Sequence, residues 1–378
     1  VKGGPVKGTA RQDILNIKPY QPGKPIEEVR RELGIEGEII KLASNENAIG
    51  PSPMALKALR ERLHEICLYP DGSGFALKRT LARHLSVRPQ MLALGNGSNE
   101  LIELILKVFT IPPDDEVIIS QYAFAMFPIS VQVRGATNVV VKAKEDYGHD
   151  LEAMAKAVTE RTKIICVPNP NNPTGTVVIT DEVEKFMAEI PDRVVVIFDE
   201  AYYEFMDRPD YPNTIDYVRK GRNVIVLRTF SKIYGLAGLR IGYAIAQEDI
   251  ISLIQHVREP FNTSRLSQIA AEAALGDGDH VKQTQEAVRT GKKYLIDQFT
   301  RMGLRYLVPT EGNFVTVDFG MDAKSVCEGL LREGVIIRPL HGYEMPNHAR
   351  ITVGLPYQNE KLVYAIENVL DQLVGEAA

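Results

Sequence analysis

Between residues 91 and 246, short apolar, β-branched runs alternate with stretches of helical period. The runs are MLALG (91–95), EVIIS (116–120), NVVVK (138–142), KIICV (163–167), VVVIF (194–198), VIVLR (224–228) and IGYAIA (241–246). Between the first two, SNELIELILKVF (98–109) puts Leu101, Leu104, Ile105 and Val108 on one helical face. Strand-length apolar runs with amphipathic helices between them predict an α/β fold. Its sheet should be largely parallel and covered by helices on both sides.

After residue 260 the pattern changes to long helical stretches with three further strand candidates: NFVTVDF (313–319), VIIRP (335–339) and RITVG (350–354). A closing helix carries Leu362, Ile366, Val369, Leu370 and Leu373 on one face. At the other end, residues 1–24 are rich in Gly, Pro and Lys and read as an arm. IEEVRREL (26–33) reads as a short helix that Pro25 starts, with acids in its first turn, and that Gly34 ends. The expected organisation is an arm that joins a small domain (1–45), a large domain (46–258) and a smaller α/β C-terminal domain (259–378). No internal repeat or low-complexity segment interrupts it.

A chain of 378 residues, 44% hydrophobic and 25% charged, can build more than one core. A net charge of −5 without a basic block argues against nucleic acid as a partner. The apolar runs are far shorter than the ~20 residues that span a bilayer, so no membrane association is expected. The start lacks the charged-then-apolar pattern of a signal peptide. Cys67, Cys166 and Cys327 share no metal or redox spacing, and the sparse count fits a reducing cytosol. His341 and His348, the closest histidine pair, make no zinc pattern, and no metal is expected.

In open α/β sheets, ligands bind beyond the carboxyl ends of the strands. The unusual polar residues cluster there. KIICV runs into NPNNPTG (169–175), VVVIF into Asp199-Glu200-Ala201-Tyr202, VIVLR into TFSKIYGLAGLR (229–240), and MLAL into GNGSNE (95–100). A lysine desolvated at a strand end becomes a nucleophile for an aldehyde, although Lys232 taken alone is more often a surface residue. Asp199 ends an apolar strand and needs a cationic partner. A protonated pyridine nitrogen would serve, as would a metal or a salt bridge. Arg240 can clamp a phosphate bidentately, Thr229 and Ser231 offer hydroxyls, and the helix start after Gly97 offers backbone N–H groups. GNGSNE also resembles half of a dinucleotide fingerprint, with Glu100 in place of the third glycine and Asp114 and Asp115 downstream. Together the groups meet the needs of pyridoxal phosphate: an amine for the aldehyde, an acid for the ring nitrogen and a cradle for the phosphate.

NPNNPTG, FDEAY (198–202) and TFSKIYGLAGLRIGY (229–243), in this order, resemble the fold-type I pyridoxal-phosphate aminotransferases. LASNENAIGPSP (42–53), YPDGSGFALKRTLA (69–82), GVIIRPL (334–340) and RITVGLP (350–356) resemble the histidinol-phosphate group within that family. The resemblance implies that Lys232 forms the Schiff base and shuttles the proton, and that Asp199 pairs with the ring nitrogen. Asn172 and Tyr202 would bond the ring hydroxyl, and Tyr122 would stack on the ring, with a plain core tyrosine as its alternative. Gly97, Ser98, Asn99, Thr229, Ser231 and Arg240 would hold the cofactor phosphate, joined by Tyr69 from the other subunit of a homodimer. Tyr20, Asn47, Asn172, Arg338 and Arg350 would face the substrates, an amino donor and a 2-oxo acid. Ala48 stands where many relatives have Pro.

The resemblance implies a transfer from L-histidinol phosphate to 2-oxoglutarate. Three rivals use the same cofactor: an aromatic amino-acid aminotransferase, a phosphothreonine decarboxylase, and a non-catalytic pyridoxal-phosphate sensor. The sensor would need an attached DNA-binding segment, for which 378 residues leave no room. A dinucleotide oxidoreductase would leave Lys232, Asp199 and Arg240 without a role.

Overall fold

A computed structural model describes residues 9–20 and 23–377. The opening VKGGPVKG lies outside them. The helix Ile26–Leu33 begins after Pro25 and stops at Gly34, whose φ of 65° lets its N–H close back on the Arg30 carbonyl. The first strand, β1 (Ile40–Lys41), follows. Then come β2 (Leu92–Gly95), β3 (Glu116–Ser120), β4 (Thr137–Val141), β5 (Thr162–Pro168), β6 (Val195–Asp199), β7 (Val224–Thr229) and β8 (Gly242–Ile245). These seven form one sheet in the order β2-β8-β7-β6-β5-β3-β4.

The apolar runs behave as expected of strands buried on both faces. Ile118, Ile165, Val167, Val196, Phe198 and Val226 enter one core. Their neighbours Val117, Ile119, Ile164, Cys166, Ile197 and Leu227 enter the core on the opposite face. Each fully buried Val, Ile or Phe contributes roughly 1.5–3 kcal/mol relative to an exposed one. The helix Gly97–Phe109 buries Leu101, Leu104 and Ile105 against the second core. One strand departs from the parallel pattern: β8 runs antiparallel to both β7 and β2.

A second sheet has the order β12-β13-β10-β9 and is antiparallel throughout: β9 (Arg305–Tyr306), β10 (Phe314–Asp318), β12 (Arg338–Pro339) and β13 (His348–Thr352). The run expected as one strand, VIIRP, is split by Ile337. Its first half, β11 (Val335–Ile336), pairs in parallel with β1 instead. Ile40 and Leu42 thereby enter the core of this second sheet, beside Leu295 and Phe299 of the helix Gly278–Arg301 and Leu362 and Ile366 of the helix Pro356–Ala377. The helix Arg265–Leu275 lies on the other side of the junction, with Ala270, Ala271 and Ala274 buried in the seven-stranded layer. Among the described residues, no helix is long and apolar enough to cross a membrane.

Candidate active site

The carboxyl ends of β5, β6 and β7 meet at one cavity of about 240 Å³. Strand register sets who meets whom. Pro168 pairs with Asp199 at the ends of β5 and β6, and Thr229 and Gly95 both lie against Gly242. The last pairing brings the start of the helix Gly97–Phe109 beside the loop after β7. Two glycines allow this approach. A Cβ on Gly242 would lie 2.8 Å from the Ser98 nitrogen, and one on Gly97 (φ +71°) 2.5 Å from Arg240 Nη2.

This corner is an anion cradle. No side chain caps the helix at Gly97–Ser98, so its first N–H groups stay open at the positive end of the dipole. The Ser231 amide donates to Thr229 Oγ1 (3.1 Å), and Thr229 Oγ1 lies 3.0 Å from Ser231 Oγ. Arg240, held with φ +52°, reaches Ser231 Oγ at 3.4 Å and the Ala237 carbonyl at 3.1 Å. Glu100 takes no part in a nucleotide site. Its carboxylate accepts from the Asn96 amide (2.6 Å) and from Asn262 Nδ2 (2.6 Å). Asp115 likewise accepts from the Ile111 amide at 2.7 Å.

The other wall carries the reactive groups. Asp199 is buried, and among the described residues its carboxylate accepts one hydrogen bond, from the Ala201 amide at 3.2 Å. Burial pushes its carboxyl up to about 7. Lys232 Nζ donates to the carbonyls of Ser44 (3.0 Å) and Asn45 (3.2 Å). Desolvation, with help from the Arg350 and Arg240 cations, lowers it to about 7. Burial pushes Tyr202 up to about 12, so it keeps its proton, and its oxygen accepts from Asn45 Nδ2 at 2.8 Å. The phenol O–H is thus free to donate. Arg350 Nη1 donates to Asn172 Oδ1 and Nη2 to the Ala43 carbonyl, both at 2.5 Å. That first bond orients the Asn172 amide so that its NH₂ remains available. Behind the wall, Glu200 accepts from Arg228 Nε (2.9 Å) and Nη2 (2.8 Å) as a buried ion pair, joined by Thr214 Oγ1.

Of the residues singled out in the sequence, Tyr20, Ser98, Asn99, Asn172, Asp199, Tyr202, Thr229, Ser231, Lys232, Arg240 and Arg350 line the cavity. Gly97 lies against Arg240. Four others are elsewhere. Tyr122 packs on Tyr147 with ring centroids 5.3 Å apart, while Phe124, two residues on, faces the cavity. Asn47 donates to the Ile233 carbonyl (2.8 Å) and to Thr284 Oγ1 (3.2 Å), away from the cavity. Arg338 stands outside the lining with its guanidinium 5.2 Å from the Tyr20 ring. Tyr69 is 79% exposed and stacks on Phe261. The sequence reading missed Ser44, Asn45, Glu46 and Phe124. The stretch LASNENAIG had marked three of these without showing which side chains turn inward.

The arrangement tests well against pyridoxal phosphate. A buried carboxylate has one oxygen open, an amine has no acid bonded to it, and two glycines leave a cradle that any Cβ would fill.

Comparison with known proteins agrees. The family model "Aminotransferase class I and II" matches residues 37–367. A histidinol-phosphate aminotransferase of Nitrosococcus oceani is 47% identical over 363 residues, covering 96% of this chain and 97% of that one. One from Moorella thermoacetica is also 47% identical, over 95% of this chain and 92% of its own. The crystal structure of the Sinorhizobium meliloti histidinol-phosphate aminotransferase in complex with pyridoxal 5′-phosphate superposes with a TM-score of 0.87. It is 29% identical and covers 96% of this chain and 97% of that one. A single mutant of Thermus thermophilus aspartate aminotransferase, 23% identical with a TM-score of 0.83, shares the fold. The chain belongs to the class I and II aminotransferases, among the histidinol-phosphate aminotransferases of that family.

Proposed function

We propose that the enzyme moves the amino group of L-histidinol phosphate to 2-oxoglutarate, using pyridoxal phosphate held in this cavity. Bound there, the cofactor supplies an electron sink for the charge that develops at the substrate Cα. Lys232, poised near neutrality, would hold the cofactor's aldehyde carbon, and its amine would take and return the Cα proton. Asp199 would hold the proton on the ring nitrogen, and Tyr202 and Asn172 would donate to the ring hydroxyl. Phe124 takes the ring-facing role expected of Tyr122. The open helix start at Gly97, Ser98 and Asn99, with Thr229, Ser231 and Arg240, binds the phosphate.

One observation carries the substrate assignment. Arg338 and Arg350 are directly opposed across β12 and β13, and Tyr20 covers Arg338. Like charges in that position repel unless an anion lies between them. An α-carboxylate needs one bidentate arginine, whereas a phosphate monoester brings nearly two charges and three acceptor oxygens. The distal carboxylate of glutamate would use the same groups in the other half-reaction. Arg338→Ala should lose roughly 30-fold or more in kcat/KM for histidinol phosphate, since breaking such a pair costs about 2–5 kcal/mol. It should lose much less for phenylalanine, which has no distal anion. Steady-state kinetics with both donors decide it. A wild type that prefers phenylalanine, or equal losses for both, would favour the aromatic aminotransferase. Release of carbon dioxide from phosphothreonine would favour the decarboxylase.

The working unit is a homodimer. Leu63, Ile66, Leu68, Tyr69, Phe75 and Phe261 are all exposed around one segment, an apolar patch suited to a second copy. Tyr69 would cross that interface to the partner's phosphate cradle. Mixing Tyr69→Ala with Lys232→Ala chains should then restore activity on subunit exchange, because each heterodimer keeps one undamaged site. Proven heterodimers without activity would place Tyr69 within its own subunit's site or outside any site. Three free cysteines, one of them exposed, suit a cytoplasmic location. The division between the two layers is best placed after Gly276, since the helix Arg265–Leu275 packs with the seven-stranded sheet.

A further inference from the structure

Asp199 and Glu46 are the two acids among the residues lining the active-site cavity. Asp199 has a role in the assignment above; Glu46 has no role there. It sits on the loop after β1, and that loop is held in place. Asn313 Nδ2 donates to the carbonyls of Asn45 (3.1 Å) and Glu46 (3.3 Å), and the Asn45 amide donates to Thr352 Oγ1 (2.9 Å). Glu46 Oε1 pairs with Lys41 Nζ at 3.0 Å, and its side chain is 48% exposed. No hydrogen bond from the described residues reaches Oε2. Its negative charge is felt at Lys232, where it opposes the effect of Arg350 and Arg240. The cavity therefore offers one further carboxylate acceptor that the assignment leaves without a use, since Asp199 takes the ring nitrogen and a phosphate repels an acid.

We propose that Glu46 is a specificity-determining residue whose free carboxylate oxygen accepts the N–H of the substrate's imidazole. This rests on the reading that histidinol phosphate is the donor. An imidazole always has at least one ring N–H to give, and near neutral pH part of it is protonated. A carboxylate accepting that proton makes a charge-assisted bond, strongest with the imidazolium. The phenyl ring of phenylalanine offers no donor and would leave the carboxylate turned toward an apolar surface. Glu46 thus favours an imidazole over a phenyl ring of similar size. The anion end of the donor is selected separately, by the opposed arginines.

Histidine and phenylalanine differ in the ring and not in the backbone, so their ratio isolates this contact from phosphate recognition. Binding of histidinol phosphate, histidine and phenylalanine is measured by absorbance on cofactor-loaded Lys232→Ala protein, with and without Glu46→Ala or Glu46→Gln. In otherwise wild-type protein the same donors are compared by kcat/KM. Adding Glu46→Ala should cut the histidine-over-phenylalanine ratio about tenfold in both measurements, the usual size for one partly solvated charge-assisted bond. The wild-type preference for histidine should strengthen as pH falls from about 8 to about 6, and Glu46→Gln should flatten that trend. An unchanged ratio in both variants, whatever the absolute activities, overturns the proposal and leaves Glu46 a tuner of Lys232. If histidinol phosphate binds no better than histidine while the ratio still falls, the phosphate assignment fails and the role of Glu46 stands.

Discussion

Replacing Lys232 by alanine should leave a protein that folds and takes up pyridoxal phosphate but turns over at least about 10⁴-fold more slowly. The loss removes a nucleophile and a proton shuttle at once, and the shuttle alone is worth roughly 10²–10⁴. Cofactor retention is expected because the cradle at Gly97, Ser98, Thr229, Ser231 and Arg240, and the carboxylate of Asp199, do not depend on the lysine. Folding should survive too, since among the described residues the Lys232 amine donates just to the carbonyls of Ser44 and Asn45. Asn45 stays tied down by Thr352 and Asn313. Wild-type protein reduced with borohydride should carry the cofactor on Lys232 when its peptides are mapped. A label on another lysine would displace the site. Because desolvation holds the amine near 7, cofactor capture by the apoprotein should speed up as pH rises through about 7, well below the usual lysine range. A capture rate still climbing steeply from pH 9 to about 10 would mean that the lysine is not desolvated.

The parts of this site legible in the sequence lie at or after strand ends. Asp199 ends a fully buried strand, where a polar residue has to have a partner, so it stood out against its apolar run, and Lys232 and Arg240 were legible from the motif TFSKIYGLAGLR that follows the next strand. The loop residues were not legible, because their direction is set by contacts distant in sequence. Asn45 has φ +53° and turns the chain so that Glu46 lines the cavity, while Asn47 bonds Ile233 and Thr284. A string of alternating Asn and Glu carries no sign of that turn. The same holds for Tyr122 and Phe124, two aromatics in one irregular loop. Either could reach a ring from the end of β3, and packing against Tyr147 takes the tyrosine away.

The fold divides similarly. The helix Ile26–Leu33 was bounded by its own Pro25 and Gly34, which is local chemistry. The direction of β8 was not, since IGYAIA reads alike in either sense. The strand reverses because the link from β7, residues 230–241, contains only a short 3₁₀ turn and no helix to carry the chain back for a parallel return. The two-residue strands β1 and β9 are too short to show any period. They are held by the partners they meet, Val335 and Ile336 for β1 and Val317 and Asp318 for β9.

Asp199 sets the second large expectation, in which function and stability move in opposite directions. Asp199→Ala should reduce turnover about 10³-fold, some 4 kcal/mol of barrier, because an unprotonated ring nitrogen withdraws charge poorly from Cα. The apoprotein should show the reverse in its stability. Burial raises the carboxyl to about 7, above its unfolded value near 4, so between those values the native state binds the proton that the unfolded state has lost. Apoprotein stability should therefore fall as pH rises from about 4 to about 7. The accumulated cost at higher pH is up to about 4 kcal/mol. Asp199→Asn, of nearly the same shape and without the charge, should escape that fall. Its apoprotein should melt higher than wild type at pH 8, and the two should converge toward pH 4. Adding pyridoxal phosphate should stabilise wild type more than the asparagine variant, since only the carboxylate gains a cationic partner. Thermal melts of both proteins across this pH range, with and without cofactor, measure each term. If wild type and Asp199→Asn apoproteins keep the same difference in melting temperature from pH 4 to about 8, then Asp199 already has a cationic partner without cofactor, and its assignment to the ring nitrogen fails.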